Sequence, residues 1–152
     1  ATFLKNILTR ISCSLGYSYD ETQAMIARSF MISADNGHAL HPNHGEYADP
    51  VNAPRLNEGI VIKFNAQQKY ATDGFSAAFF RDLCRRAKVP TQTFTNRSDI
   101  PGGSTLGNIS NTKVSMPTVD IGLPQLAMHS SYETAGTKDT AYLVTACTAF
   151  FE

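Results

Sequence analysis

The chain has 152 residues, with 13 basic and 13 acidic side chains and no formal net charge. That length supports one compact domain with a core but hardly two, and a neutral chain without a basic cluster gives no electrostatic reason to bind nucleic acid or an anionic membrane. No apolar run approaches the roughly 20 residues of a membrane span, and the opening ATFLKNILTRI is broken by charge and carries no secretory cleavage pattern.

Taken in chain order, residues 3–13 (FLKNILTRISC) put Phe3, Leu4, Ile7, Leu8 and Ile11 on one face of a 3.6-residue repeat, which predicts an amphipathic helix without a capping residue before it. YDETQAMIARS (19–29) reads as a second helix with Asp20 as N-cap. FMISA (30–34) reads as a short buried strand, and residues 36–58, rich in Asn, Pro, Gly and His, as a loop long enough to be functional or disordered. GIVIKFN (59–65) is a strand with one charge, Lys63, among β-branched and aromatic neighbours. TDGFSAAFFRDLCRRAKVP (72–90) predicts a helix closed by Lys88 and stopped at Pro90. TQTFTNRS is a further strand, IPGGSTLGNIS a glycine turn opening into a short helix, TVDIGLP a strand and KDTAYLVTACTAFF a final helix. Helices alternating with short apolar strands predict an α/β fold with a mostly parallel sheet flanked by helices, whose carboxyl edge is the place for a ligand. Cys13, Cys84 and Cys147 are odd in number and widely spaced, and read as reduced thiols of a cytoplasmic protein.

Three of the four histidines fall in SADNGHALHPNHGEY (33–47), where Asp35, His38, His41 and His44 recur every three residues. Asp35 ends a strand at the sheet edge, where a carboxylate can ligate a divalent metal or orient a base; a turn cap is the plainer role. His38 and His41 would share a face only in a helix, and Pro42 disfavours the α conformation at His41. His129 follows the strand TVDIGLP, so two strand ends each present a possible ligand, and Asp with His is a common half of a zinc or cobalt site. At least one more ligand and a general base are not evident. SDIPGGSTLGN (98–108) has the composition of a phosphate loop without its lysine or glycine spacing, and reads better as a tight turn approaching another chain or a substrate. Lys63 is either a surface residue extending to solvent or a pocket group for a carboxylate.

Four segments in order, SFMISADNGHALHPNH, EGIVIKFNAQQKYATD, NRSDIPGGSTLGN and TVDIGLPQLAMHSSYETAG, resemble the aspartyl aminopeptidase-like zinc metallopeptidases, and the third is closest to their bacterial branch. The resemblance implies half of a zinc-peptidase (phosphorylase/hydrolase-like) catalytic domain. It also implies removal of the N-terminal residue of a peptide substrate with two divalent metal ions, usually zinc, with cobalt or manganese possible. Asp35 and His129 then correspond to metal ligands, His41 to an arm reaching a neighbouring subunit's active site, Lys63 to the substrate pocket, and Gly103, Ser104 and Thr105 to loop backbone beside it. His38 becomes local support and His44 a coincidence. The family's first histidine ligand, bridging aspartate, Glu-Glu pair with the general base, and inserted dimerisation domain have no counterpart in residues 1–152, and Ala1 falls inside the helix that follows the Glu-Glu pair. The chain thus reads as the C-terminal part of one catalytic domain, from a split gene, a cleaved protein or a truncated one, with no catalytic base of its own. Its partners are the N-terminal half, identical subunits of a large homo-oligomer, or both. Two other readings remain: a non-catalytic binding or assembly module on the same fold, and a single-metal site made by His38, His41 and His44.

Overall fold

The computed structural model describes residues 2–152; Ala1, and with it the reading that the chain starts inside a helix, lies outside the described residues. Helix α1 spans Thr2–Ser14 and α2 Tyr19–Ala27. The cap of α2 is Ser18 rather than Asp20. Ser18 is extended and accepts from the Glu21 N–H, while the Glu21 carboxylate accepts from the Ser18 N–H at 2.8 Å. That reciprocal pair satisfies two end donors at once, leaving Asp20 in the first turn.

The centre of the molecule is a four-stranded sheet, ordered β1 (Met31–Ala34), β5 (Thr118–Gly122), β3 (Ile60–Phe64) and β4 (Thr91–Thr95). β1 pairs with β5 in parallel, as does β3 with β4, while the central β3–β5 junction is antiparallel. Side chains alternate across a strand, and here the alternation sorts them sharply. Ile60 and Ile62 of β3 and Val119 and Ile121 of β5 join one core with Phe80, Leu83 and Ala146. The helices supplying that face are α3 (Gly74–Arg86) and α5 (Thr137–Phe151). Val61 instead packs with Tyr70 and Phe94 on the other side, the side that also receives Lys63 and Asp120, each an odd number of residues from the core positions of its own strand. A short helix, α4 (Leu106–Asn111), lies over β1 and β5 there.

Helix α3 starts and stops as its sequence requires. Asp73 accepts from the Ser76 N–H at 2.7 Å, which holds its carboxyl below the usual range. At the other end Lys88 turns left-handed (φ 58°), and the Val89 N–H closes back on the Cys84 carbonyl at 2.8 Å, a Schellman closure that tucks Val89 into the core.

The segment expected as one strand, TVDIGLP, is two. After Gly122 the chain leaves the sheet and forms β6 (Pro124–Leu126), which joins β2 (Gly37–His38) and β7 (Thr134–Ala135) in a small second sheet. The long loop is therefore ordered by β2 and by a 3₁₀ turn at Gly45–Tyr47. Helix α1 keeps Phe3 and Ile11 exposed, as is Leu15 just after it, and α5 keeps Val144 and Phe151 exposed. No helix among the described residues is long and apolar enough to cross a membrane.

All three cysteines are free thiols: Cys13 exposed, Cys147 half-buried and Cys84 buried. Burial pushes the Cys84 thiol up to about 12, with the neighbouring Cys147 adding to the rise, leaving roughly one thiol in ten thousand ionised at about pH 8. Iodoacetamide labelling of the folded chain, followed by mass spectrometry, is expected to modify Cys13 and spare Cys84 until denaturant is added. Equal labelling of the two in the folded state would contradict this packing.

Candidate functional site

Strand β1 delivers Asp35 to the edge of the main sheet, and the peptide after it runs hard against β5. A Cβ on Gly122 would lie 1.9 Å from the Asp35 carbonyl oxygen, so only glycine allows the two strands to approach here. The Asp35 N–H donates to the Ile121 carbonyl at 3.0 Å. Beyond it Asn36 donates to Gln125 Oε1 at 2.8 Å, and its own Oδ1 accepts from the Leu123 N–H at 3.3 Å. Asn36 therefore ties the end of β1 to the second sheet, where β2 places His38 opposite Gln125.

A cavity of about 630 Å³ opens at this edge. Its lining includes Asp35, His38, His41, Lys63, Gly103, Ser104, Thr105 and His129, from four separate stretches of sequence. His44 lies on the same wall. Its ring is 5.0 Å from that of His41, and its Nδ1 is 3.1 Å from Glu46 Oε1. His41 Nδ1 accepts from the Asn43 N–H at 3.2 Å. The Glu46 carboxyl is held below its ordinary range, first by its own backbone N–H and then by His44. His44 thus has a local partner on each side.

Lys63 is 2% exposed, which removes the reading of a surface side chain extending to solvent. Its ammonium donates to the Asn36 carbonyl at 3.0 Å and lies 5.6 Å from the centre of the Tyr70 ring. Burial lowers its pKa, partly offset by the carboxylates of Asp35 and Asp120. A lysine whose folded pKa lies below the unfolded one destabilises the fold at any pH below the folded value, and the cost fades as pH rises toward the unfolded value. Buried, pKa-shifted groups of this kind concentrate at functional sites. The Tyr70 hydroxyl is pushed up by burial first, then by the charges of Asp120 and Asp35.

His129 sits in a left-handed backbone conformation (φ 66°), as does Ala127 (φ 54°). The strained turn is closed by the Ser130 N–H on the Ala127 carbonyl and by the His129 N–H on Glu133 Oε1 at 2.6 Å. Glu133 was not singled out by sequence, and neither were Asp120, Tyr70 and Lys69. For Asp120 a signal existed: one charge in an apolar strand, the same cue that marked Lys63.

Among the described residues no three His, Cys, Asp or Glu side chains converge into a metal-binding group. The single-metal site of His38, His41 and His44 is therefore not formed: the rings of His41 and His44 lie 5.0 Å apart, but His38 belongs to β2 and joins no group with them. Asp35 and His129 are donors of the kind zinc accepts, on the wall of one cavity, but two donors are short of the four a zinc site uses. This chain fits such a metal as part of a ligand set.

A helix-flanked, mostly parallel sheet whose strand ends gather a carboxylate, imidazoles and a buried ammonium around one cavity is an α/β layer with a ligand site at its carboxyl edge. The family model described as Aminopeptidase I zinc metalloprotease (M18) matches residues 1–151, and the chain belongs to that family. The "Probable M18 family aminopeptidase 2" of Clostridium acetobutylicum is 50% identical over 141 residues, covering 93% of this chain and 33% of that protein. A chain of the cryo-EM structure of the Ape4 and Nbr1 complex superposes with a TM-score of 0.95 at 40% identity, covering 99% of this chain and 29% of that one. The S. cerevesiae mApe1 dodecamer gives a TM-score of 0.76 at 29% identity, covering 85% of this chain and 28% of that one. The chain spans about a third of the length of the curated relatives it matches.

The glycines at this edge are expected to respond in opposite ways. Gly122→Ala forces the Asp35 peptide aside and should cost about 1–3 kcal/mol. Gly103→Ala meets nothing within 4 Å and should stay within about 0.5 kcal/mol of the parent. Urea denaturation of the two variants tests the contrast, and equal midpoints would refute it.

Proposed function

We propose that this chain is the C-terminal part of the catalytic domain of an M18 metallo-aminopeptidase, which removes the N-terminal residue of peptides. The observation that carries this is the convergence of Asp35, His38, Lys63, the Gly103–Thr105 turn and His129 on one cavity, in a chain whose family is described as zinc metalloproteases. The exposed carboxylate of Asp35 and imidazole of His129 would each hold a divalent metal, zinc by family, with cobalt or manganese compatible with the same donors. The remaining ligands and the general base come from sequence outside this chain, as its share of the relatives' length allows. Bound there, such a metal pair would polarise the scissile carbonyl and lower the pKa of the attacking water.

The residues of this chain then bind and orient. The buried Lys63 ammonium, desolvated and with one hydrogen bond made, presents a cation to a carboxylate of the substrate. The Gly103–Ser104 backbone, open on the cavity side, lets a peptide approach closely. Leu40 and Pro54 add apolar lining to the cavity. His38 supports the Asp35 strand end from β2, and His41, on the long loop, extends toward a neighbouring subunit. Assembly into a large homo-oligomer is supported by the dodecamer to which the chain is similar, and the exposed apolar faces of α1 and α5 would be covered by the rest of the catalytic domain. We place the protein in the cytoplasm, in keeping with its three free thiols.

The test pairs this chain with the other two thirds of a family member, adds zinc or cobalt, and follows hydrolysis of amino-acid p-nitroanilides. Activity is expected, with His129→Ala losing more than the roughly 10–100-fold that removal of an outer-sphere partner costs while its folded circular-dichroism spectrum is kept. His44→Ala should leave turnover within a few-fold of the parent. Metal bound without hydrolysis would exclude the peptidase and leave a non-catalytic binding or assembly module.

A further inference from the structure

Asp120 is a fully buried carboxylate in the middle of the sheet, and none of the binding roles above uses it. Its Oδ2 accepts from the Ala71 N–H at 2.5 Å, and its own N–H donates to Thr72 Oγ1 at 2.8 Å. One residue of β5 thus grips two consecutive residues of the loop after β3. The same loop carries Tyr70, whose ring stands 6.4 Å from that of Phe94 on the cavity wall. It also carries Lys69, whose ammonium donates to the Gly102 carbonyl at 2.8 Å, while Ser104 Oγ donates to the Lys69 carbonyl at 3.4 Å. From the sheet outward the connections run Asp120, loop 69–72, then the glycine turn that lines the cavity.

The other oxygen faces α4, the helix that follows this turn. A Cβ on Gly107 would stand 2.7 Å from Asp120 Oδ1 and 2.6 Å from the Ser33 side chain, so α4 seats its glycine against the carboxylate. Oδ1 has no hydrogen-bond donor among the described residues. A buried carboxylate so sparsely satisfied costs stability that an apolar residue would not. Its use lies in what it holds in place.

We propose that Asp120 is a positioning residue: its carboxylate hooks the Lys69–Asp73 loop to β5 and thereby sets Tyr70 and the Gly102–Thr105 turn as the substrate-facing wall of the cavity. That the wall meets a peptide rests on the aminopeptidase reading; the hook itself does not, and its test needs neither metal nor substrate.

The experiment is amide hydrogen exchange and aromatic NOE spectroscopy on the 152-residue chain. In Asp120→Ala the Ala71 amide should exchange about tenfold faster, as one lost buried hydrogen bond implies, and NOEs between Tyr70 and Phe94 should weaken. Amides of α3 around Phe80 should keep their protection. Asp120→Asn keeps an acceptor oxygen and should restore both the Ala71 protection and the Tyr70 contacts, a rescue that a general loss of packing would not show. A folded Asp120→Ala with unchanged Ala71 and Tyr70 signals overturns the proposal, as does an Asn variant that disturbs the loop as much as Ala. If Asp120→Ala does not fold, Asp120→Val decides, since a β-branched side chain suits a buried strand position and offers Ala71 no acceptor. Faster exchange at Ala71 then supports the hook, and unchanged exchange rejects it. Loss of peptidase activity in the paired enzyme with all these signals intact would count against the aminopeptidase reading alone.

Discussion

The antiparallel pairing of β3 with β5 is the constraint on which the rest of the molecule rests. Val61 faces Gly122 and Ile62 faces Ile121 in that register, so the two strands present matched faces: Ile60, Ile62, Val119 and Ile121 on one side, Val61, Lys63 and Asp120 on the other. A shift of one residue would drive an ammonium and a carboxylate into the Phe80 core and expose the isoleucines. The register is held by the apolar face against α3 and α5, and the polar face is carried with it. Burial on one side of the sheet is thus what makes a charged interior possible on the other.

That charged interior has a cost, and its distribution is informative. Lys63, Asp120 and Asp35 form a chain of influence in which burial works against the lysine and two carboxylates partly offset it. A core chosen for stability alone would replace these groups with apolar ones. The surrounding devices, Gly122 against the Asp35 carbonyl, Gly107 against Asp120 and left-handed His129 under Glu133, all spend backbone freedom at the same edge. Backbone strain at His129 and the buried charge of Lys63 meet on one cavity, as expected where side chains are held in place for a ligand.

Much of this was legible in the chain itself. The stop of helix α3 at Lys88–Pro90 was marked in the sequence, because helix-ending residues and proline act locally. Lys63 stood out as one charge in an apolar strand. Asp120 carried the same cue and was read only as part of a strand, since nothing local reveals that residues 71 and 72, nearly 50 positions earlier, supply its partners. The cap of α2 was misplaced by two residues because Asp20 and Ser18 are both good caps, and the Ser18–Glu21 reciprocity outweighs a carboxylate one turn position later. The small sheet of β2, β6 and β7 was not foreseen: strands of two or three residues are too short to show a period.

Local chemistry written in the sequence therefore determined the helices and longer strands, the stop of α3, the apolar faces and the order of motifs that marks the family, because helix-ending residues, side-chain alternation and turn residues act within a few positions. Only the tertiary structure decided that the evenly spaced His38, His41 and His44 make no metal cage, that Lys63 is buried rather than solvated, and that Asp120 reaches across to the Ala71 loop. Those outcomes depend on strand register and on a crossing of distant segments. Their energies come from burial shared between elements, which no single stretch of the chain contains.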